Sequence, residues 1–186
     1  MRVTQQDMDA GHRRIVEGTS RLLRERGVRD TSVGDAMSQA DMTHGGFYRH
    51  FQTKDDLVIE ALRQAFDEFV QPLEQRQQFE APQAVAAEYR SLYLSEQHLE
   101  NPGRGCPMPA LGSDIARAKD AIRSEFAAGV RRLIAAMALT KEGTSEERTA
   151  SAMREIAMLA GAVLIARASD APTARAVLEA CRAEGS

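Results

Sequence analysis

Tryptophan is absent, and cysteine occurs only twice, 75 residues apart. Two thiols so separated make neither a disulfide framework nor a zinc knuckle. Long hydrophobic runs are missing too. The longest, "IAMLAGAVLIA" from Ile156 to Ala166, falls short of the roughly 18 apolar residues of a spanning helix, so no membrane association is expected. The opening "MRVTQQDMDA" lacks the apolar core of a signal peptide, and a cytoplasmic location is expected. No metal and no cofactor are expected either: His44 and His50 are six apart and point in different directions, while His12 and His98 lack partners at ligand spacing. Neither a Ser-His-acid signature nor a phosphate-cradling glycine loop occurs, which argues against an enzyme.

Strand-type alternation is nearly absent as well, whereas a 3.6-residue apolar period recurs along the whole chain. Ile15, Thr19, Leu22 and Leu23 form one helical stripe, closed by Gly27. Ser32 can cap a short second helix carrying Val33, Ala36, Met37 and Ala40. The turn Asp41-Met42 leads to Thr43 as the next cap, and Thr53 starts a fourth helix running toward Pro72, with Asp55 and Asp56 in its first turn. Beyond Pro82 helical stripes continue, interrupted at "ENPGRGCPMPALGS", where Pro and Gly break the pattern. The expected fold is all-α: an N-terminal three-helix helix-turn-helix domain over residues 1–56 and a larger helical domain over residues 57–186. The net charge of −3 gives no global sign of a nucleic-acid partner, but residues 1–54 carry nine Lys/Arg against seven Asp/Glu and the remainder fifteen against twenty. Basic groups clustered on one face matter more than that total.

The third short helix, "MTHGGFYRHF", contains two adjacent glycines, each costing about 1 kcal/mol against alanine in a helix. On a helical wheel Phe47 and Phe51 lie about 40° apart and define a buried side. Gly45, Gly46 and Arg49 point roughly the other way, flanked by Thr43, His44, Tyr48 and His50. A glycine face lets the backbone approach another surface closely. The groups around it can bond phosphates or base edges. Two short helices with a tight turn have the geometry in which the second enters a DNA major groove. The plainer alternative is a capped helix held by two phenylalanines, with glycines merely tolerated.

Residues 12–62 resemble the DNA-binding domain of TetR-family transcriptional regulators. The resemblance is carried by "RRIVEGTSRLLRERGVRDTSVGDAM", "ADMTHGGFYRHF" and "KDDLVIEAL". It implies about nine helices, a C-terminal ligand-binding and dimerisation body, and a homodimer on a palindromic double-stranded DNA operator. By position, Tyr48, His50 and Lys54 match phosphate contacts, and Thr43, His44, Gly45 and Gly46 match positions near base edges. Ser32 matches a backbone N–H donor to phosphate, and Arg49 a more variable contact. Asp41 stands where the family usually has glycine, and Ala36-Met37 where Ile-Ala is usual. Asp tolerates left-handed backbone geometry better than most residues.

In the larger body, Ile156–Ala166 is apolar all round, so that helix needs cover on two sides. Together with the resemblance this gives a dimer interface of Met153, Ile156, Ala157, Ala160, Gly161, Leu164, Val177 and Leu178. A monomer with a wholly internal helix is the other reading. Phe66, Phe69, Tyr89, Tyr93, Met108, Phe126 and Met137 are candidates for lining a cavity for a small effector, although such stripes are usually core. "GRGCPMP" puts Cys106 where a helix can begin, a place that favours thiolate, with Arg104 close in sequence. The segment also looks like one in a TetR subgroup in which some members respond to oxidants or electrophiles. The plainer alternative is a small buried hydrophobe. The functional expectation is a one-component regulator, most simply a repressor, released by an effector or by modification of Cys106. Two rivals from other classes are a thiol-dependent enzyme consuming peroxide or electrophile through Cys106, and a protein-binding adaptor.

Overall fold

The computed structural model describes residues 4–183, which contain nine α-helices, two short 3₁₀ helices and no strand. Helix α1 (Gln5–Arg26) begins at Thr4, whose hydroxyl accepts from the Asp7 N–H, and ends at Gly27 with φ 86°. Helix α2 (Val33–Gln39) is capped by Ser32, and a 3₁₀ helix (His44–Arg49) follows. Ile15, Ala36, Met37, Phe47, Phe51 and Leu57 bury their side chains together and hold these three elements as one small core.

Helix α3 (Lys54–Arg76), capped by Thr53 and Asp56, joins that core to the body without a break. It continues one turn past Pro72. Proline inside a helix costs about 3 kcal/mol. The continuation is held by Leu73, buried in the main core, and by the Gln77 amide, which donates to the Ala136 carbonyl at 2.7 Å.

The body comprises α4 (Pro82–Tyr93), α5 (Glu96–Glu100), a 3₁₀ turn (Pro102–Arg104), α6 (Pro107–Ile115), α7 (Asp120–Ala138), α8 (Ser145–Ala168) and α9 (Ala171–Ala183). Leu23 of α1, Val58 and Leu62 of α3, Leu111 and Ile115 of α6 and Ile122 of α7 form a junction core beneath the amino-terminal helices. Arg24 reinforces that junction. Its side chain is fully buried and donates to the Ser20 carbonyl at 3.1 Å, the Gly105 carbonyl at 3.0 Å and the Glu68 carboxylate at 2.5 Å.

By length and composition α8 is apolar enough to cross a membrane. Its Ala152, Ile156, Leu159, Ala162, Val163 and Ala166 instead fill the main core. Its buried Glu155 accepts from Arg90 at 2.6 Å and from Lys141. An ion pair of this kind belongs to a packed protein core, where each charge is matched.

Candidate nucleic-acid interface and effector cavity

The turn region is built from short-range bonds. Ser32 Oγ accepts from the Asp35 N–H at 3.1 Å, and the Asp35 carboxylate accepts from the Ser32 N–H at 2.9 Å. The Ser32 hydroxyl, which donates to the same carboxylate, and then the Ser32 N–H hold the Asp35 carboxyl below its usual range. The Ser32 N–H is therefore already engaged, and the donors facing out from this helix end belong to the residues after it. Met42 N–H returns to the Met37 carbonyl at 2.9 Å, and Asp41 takes φ 57°, the left-handed turn its side chain tolerates.

The third element is 3₁₀ rather than α. Gly46 N–H bonds Thr43 O at 2.9 Å and His50 N–H bonds Phe47 O at 2.9 Å, both across three residues. Two glycines and the lack of a side-chain bond from Thr43 leave little to stabilise a full α turn. Phe47 and Phe51 are buried with ring centroids 5.6 Å apart, which fixes the opposite side as outward. Tyr48 is 76% exposed, and Thr43, His44, Gly45 and Arg49 are exposed with it.

The two glycines differ in surroundings. A methyl at Gly46 would meet Met37 Cε at 3.4 Å, whereas one at Gly45 would meet nothing within 4 Å. The first contact is with the flexible end of a side chain, so packing among the described residues requires glycine at neither position. His50 is half-buried beside His12 and Phe51. Burial first, then the His12 and Arg49 charges, lower its pKa, so at neutral pH it acts as a neutral hydrogen-bonding group. Lys54 Nζ donates to the Val28 carbonyl at 3.1 Å. That bond ties the α1–α2 loop to α3, with two ammonium protons left over.

Residues 15–61 match the bacterial regulatory proteins of the tetR family. The TetR-type segment runs from the middle of α1 through the first two turns of α3, which includes the region just described. A stretch of 59 residues is 36% identical to the HTH-type transcriptional regulator AcrR of Shigella flexneri, covering 32% of this chain and 27% of that protein. The chain thus matches about a quarter of that relative's length. Over nearly the whole chain the fold is similar to that of reduced NemR from E. coli (18% identity, 95% of each chain, TM-score 0.80). It is also similar to a TetR-family regulator from Cytophaga hutchinsonii (20% identity, all of this chain and 96% of that one, TM-score 0.78). At these identities the likeness establishes a TetR-type fold.

Beneath the TetR-type segment, α3, α4, α5 and the Pro102–Arg104 turn enclose a cavity of about 370 Å³. Of the aromatic and sulfur residues expected to line a cavity, Phe69, Tyr89 and Tyr93 do so, joined by His98, Arg76 and Arg104. Phe66 and Phe126 instead pair edge-to-face at 5.4 Å, against Gly129, where even a methyl would meet the Phe66 ring. Met137 is fully buried in the main core, and Met108 packs against that core at its edge. Helical spacing alone cannot separate wall from core, because both are apolar. Arg104 at the mouth and the buried His98 carry no periodic signal that would have marked them as lining.

Cys106 is the N-cap of α6, as its surrounding prolines suggest, but it is fully buried. Desolvation outweighs the favourable Tyr93 hydroxyl, Met108 N–H, Arg167 and Arg24, and pushes its pKa up to about 11. The expectation of a helix-start thiolate assisted by Arg104 is therefore corrected: the sulfur is a thiol, and the nearby guanidiniums are those of Arg24 and Arg167. Its backbone N–H donates to His98 Nε2 at 2.9 Å.

Of the residues assigned to subunit contact, Met153, Ala157 and Leu164 are exposed, with Ile165 beside them. Ala160, Gly161 and Val177 are half-buried. Ile156 and Leu178 lie in the protomer's own core, Ile156 together with Ala152, Leu159 and Val163 of α8. No group of three or more His, Cys, Asp or Glu among the described residues could hold a metal.

Proposed function

We propose that this chain is a TetR-type, DNA-binding transcriptional regulator, a homodimeric repressor acting on a palindromic operator in the cytoplasm. Residues 1–56 hold DNA, and residues 57–186 dimerise and bind a small effector. The observation that carries this reading is the bare backbone at Gly45, ringed by exposed Thr43, His44, Tyr48 and Arg49, on a segment that matches the tetR family. Bulk there would hold the helix out of a groove. The exposed α8 stripe of Met153, Ala157, Leu164 and Ile165 suits a two-fold contact, because an isologous interface needs one self-complementary patch.

An effector in the cavity would act through the Pro102–Arg104 turn and Glu68, which Arg24 links directly to α1. A shift there would alter the spacing of the two DNA-reading helices, which have to meet half-sites about one DNA turn apart. Selection of random and genomic DNA fragments by the purified reduced protein tests the reading. A palindrome with steeply salt-dependent affinity is expected, and Tyr48→Phe should weaken binding roughly three- to tenfold at unchanged dimerisation, the loss of one phosphate hydrogen bond. A dimer that enriches no sequence, with or without effector, would point to the adaptor reading.

Covalent sensing at Cys106 is the second reading, favoured by the Arg24, Arg167 and Tyr93 groups around the sulfur, all suited to a negative charge. Burial works against it. With a pKa of about 11, roughly one thiol in a thousand is ionised at pH ~8. Alkylation of Cys106 by iodoacetamide should thus be at least about a hundredfold slower in the native protein than after unfolding. Fast stoichiometric labelling of native protein, with loss of DNA affinity, would instead establish the sensor. Raised pKa means that the proton is held more tightly in the folded state, so this thiol's contribution to stability is complete below about pH 9 and disappears as pH approaches about 11.

A further inference from the structure

We propose that the cavity between α3, α4 and α5 takes a flat aromatic molecule carrying one negative charge, its ring against the aromatic wall formed by Phe69, Tyr89, Tyr93 and His98 and its anion at Arg104. The proposal rests on the effector role given to this cavity above and names the chemical class that fills it.

The aromatic wall is a cluster of rings packed on one another. Phe69 meets Tyr89 at 5.9 Å and 73°, and Tyr93 at 5.6 Å and 86°, with His98 at 5.7 Å. Tyr93 and His98 meet edge-to-face at 4.7 Å. Walls that combine ring faces and edges favour another ring over an aliphatic chain. A cavity of about 370 Å³ is at the small end of ligand pockets and suits one or two fused rings.

Charge selects the substituent. Glu68 is the one carboxylate on the wall, and both its oxygens are engaged, by Arg24 at 2.5 Å and Gln64 at 3.0 Å. Arg76 is held by Glu80 and Glu88, each at 2.5 Å. His98 has Nδ1 against the Tyr93 carbonyl at 2.6 Å and Nε2 accepting from Cys106 N–H. It is therefore the neutral Nδ1–H tautomer, as burial also favours. Among the described residues the Arg104 guanidinium has no ion-pair or hydrogen-bond partner, and it stands exposed at the mouth. An aromatic box can also hold a cation, but here no free carboxylate accompanies it.

The test is calorimetric titration of the full-length reduced protein, without DNA, with three probes of one shape: naphthoate, naphthylmethanol and naphthylmethylammonium. Naphthoate should bind about tenfold more tightly than the alcohol, and the cation most weakly. Arg104→Gln, at an exposed position that leaves the fold intact, should remove the preference for naphthoate while leaving the alcohol unchanged. The proposal is overturned if the cation binds as tightly as the anion, if Arg104→Gln leaves naphthoate affinity unchanged, or if none of the three binds. Release of operator DNA by naphthoate is read separately. Binding without release would uphold the site and remove its effector role.

Discussion

Gly45→Glu is expected to lower DNA affinity at least about a hundredfold, or roughly 2.8 kcal/mol, while leaving the thermal midpoint essentially unchanged. The folded protein has no reason to object. A Cβ at position 45 meets no atom within 4 Å, φ there is not in the left-handed range, and leaving glycine relieves roughly 0.5–1 kcal/mol of helix penalty. DNA would object twice. The side chain would hold the short helix away from the base edges, and its carboxylate would face the phosphates that Arg49 and Tyr48 are proposed to meet. Gly45→Ala separates the two effects, since a methyl adds bulk without charge and should cost less. Anisotropy titration against the selected operator, paired with thermal unfolding followed by circular dichroism, gives both readings. Unaltered affinity for Gly45→Glu would remove this face from the DNA interface.

The second large effect is on stability. Arg24→Met should destabilise the protein by about 3–4 kcal/mol, because it leaves two buried polar groups without their hydrogen bonds, each at a cost of about 1–3 kcal/mol. For a chain of this length that is a fall in midpoint of roughly 10 °C. The stranded groups are the Gly105 carbonyl and the Ser20 hydroxyl, each bonded to Arg24 in a buried setting. Glu68 keeps about 30% of its side chain in water and can be rehydrated, so Glu68→Gln should cost less than Arg24→Met. Methionine keeps the hydrophobic stem, which isolates the polar loss from a cavity. A midpoint within about 2 °C of the parent would show that Arg24 is dispensable. The same variant should loosen coupling between cavity and DNA, since Arg24 bonds the loop before Cys106 and the cavity residue Glu68 from within α1.

Much of this architecture is legible in the chain because the signals are local. Ser32 and Thr53 each have an aspartate three residues on, and both form the reciprocal caps that start α2 and α3. Ile15, Leu22 and Leu23 are buried at the period that marks them. Phe47 and Phe51, four apart, are both on the inner side of the third element. Asp41 adopts the turn conformation its side chain permits. Each depends on neighbours within about one helical turn, where spacing and propensity decide.

What the sequence by itself determined about this protein is therefore the all-helical order, the caps, the turn at Asp41 and the glycine-faced segment that resembles a DNA reader. Tertiary structure alone decided the rest. It made the third element 3₁₀, took the Ser32 N–H and one Lys54 proton for internal bonds, and sent Phe66 and Phe126 to the core but Phe69 to the cavity. It left Arg104 without a partner among the described residues at the mouth and closed the core over Cys106. Those outcomes turn on which distant groups meet, as when Arg24 reaches Gly105 across 81 positions. Burial, desolvation and hydrogen-bond satisfaction are properties of that meeting. The same cysteine that local sequence marks as a helix-start thiolate thus becomes, inside a packed core, a thiol that holds its proton to about pH 11.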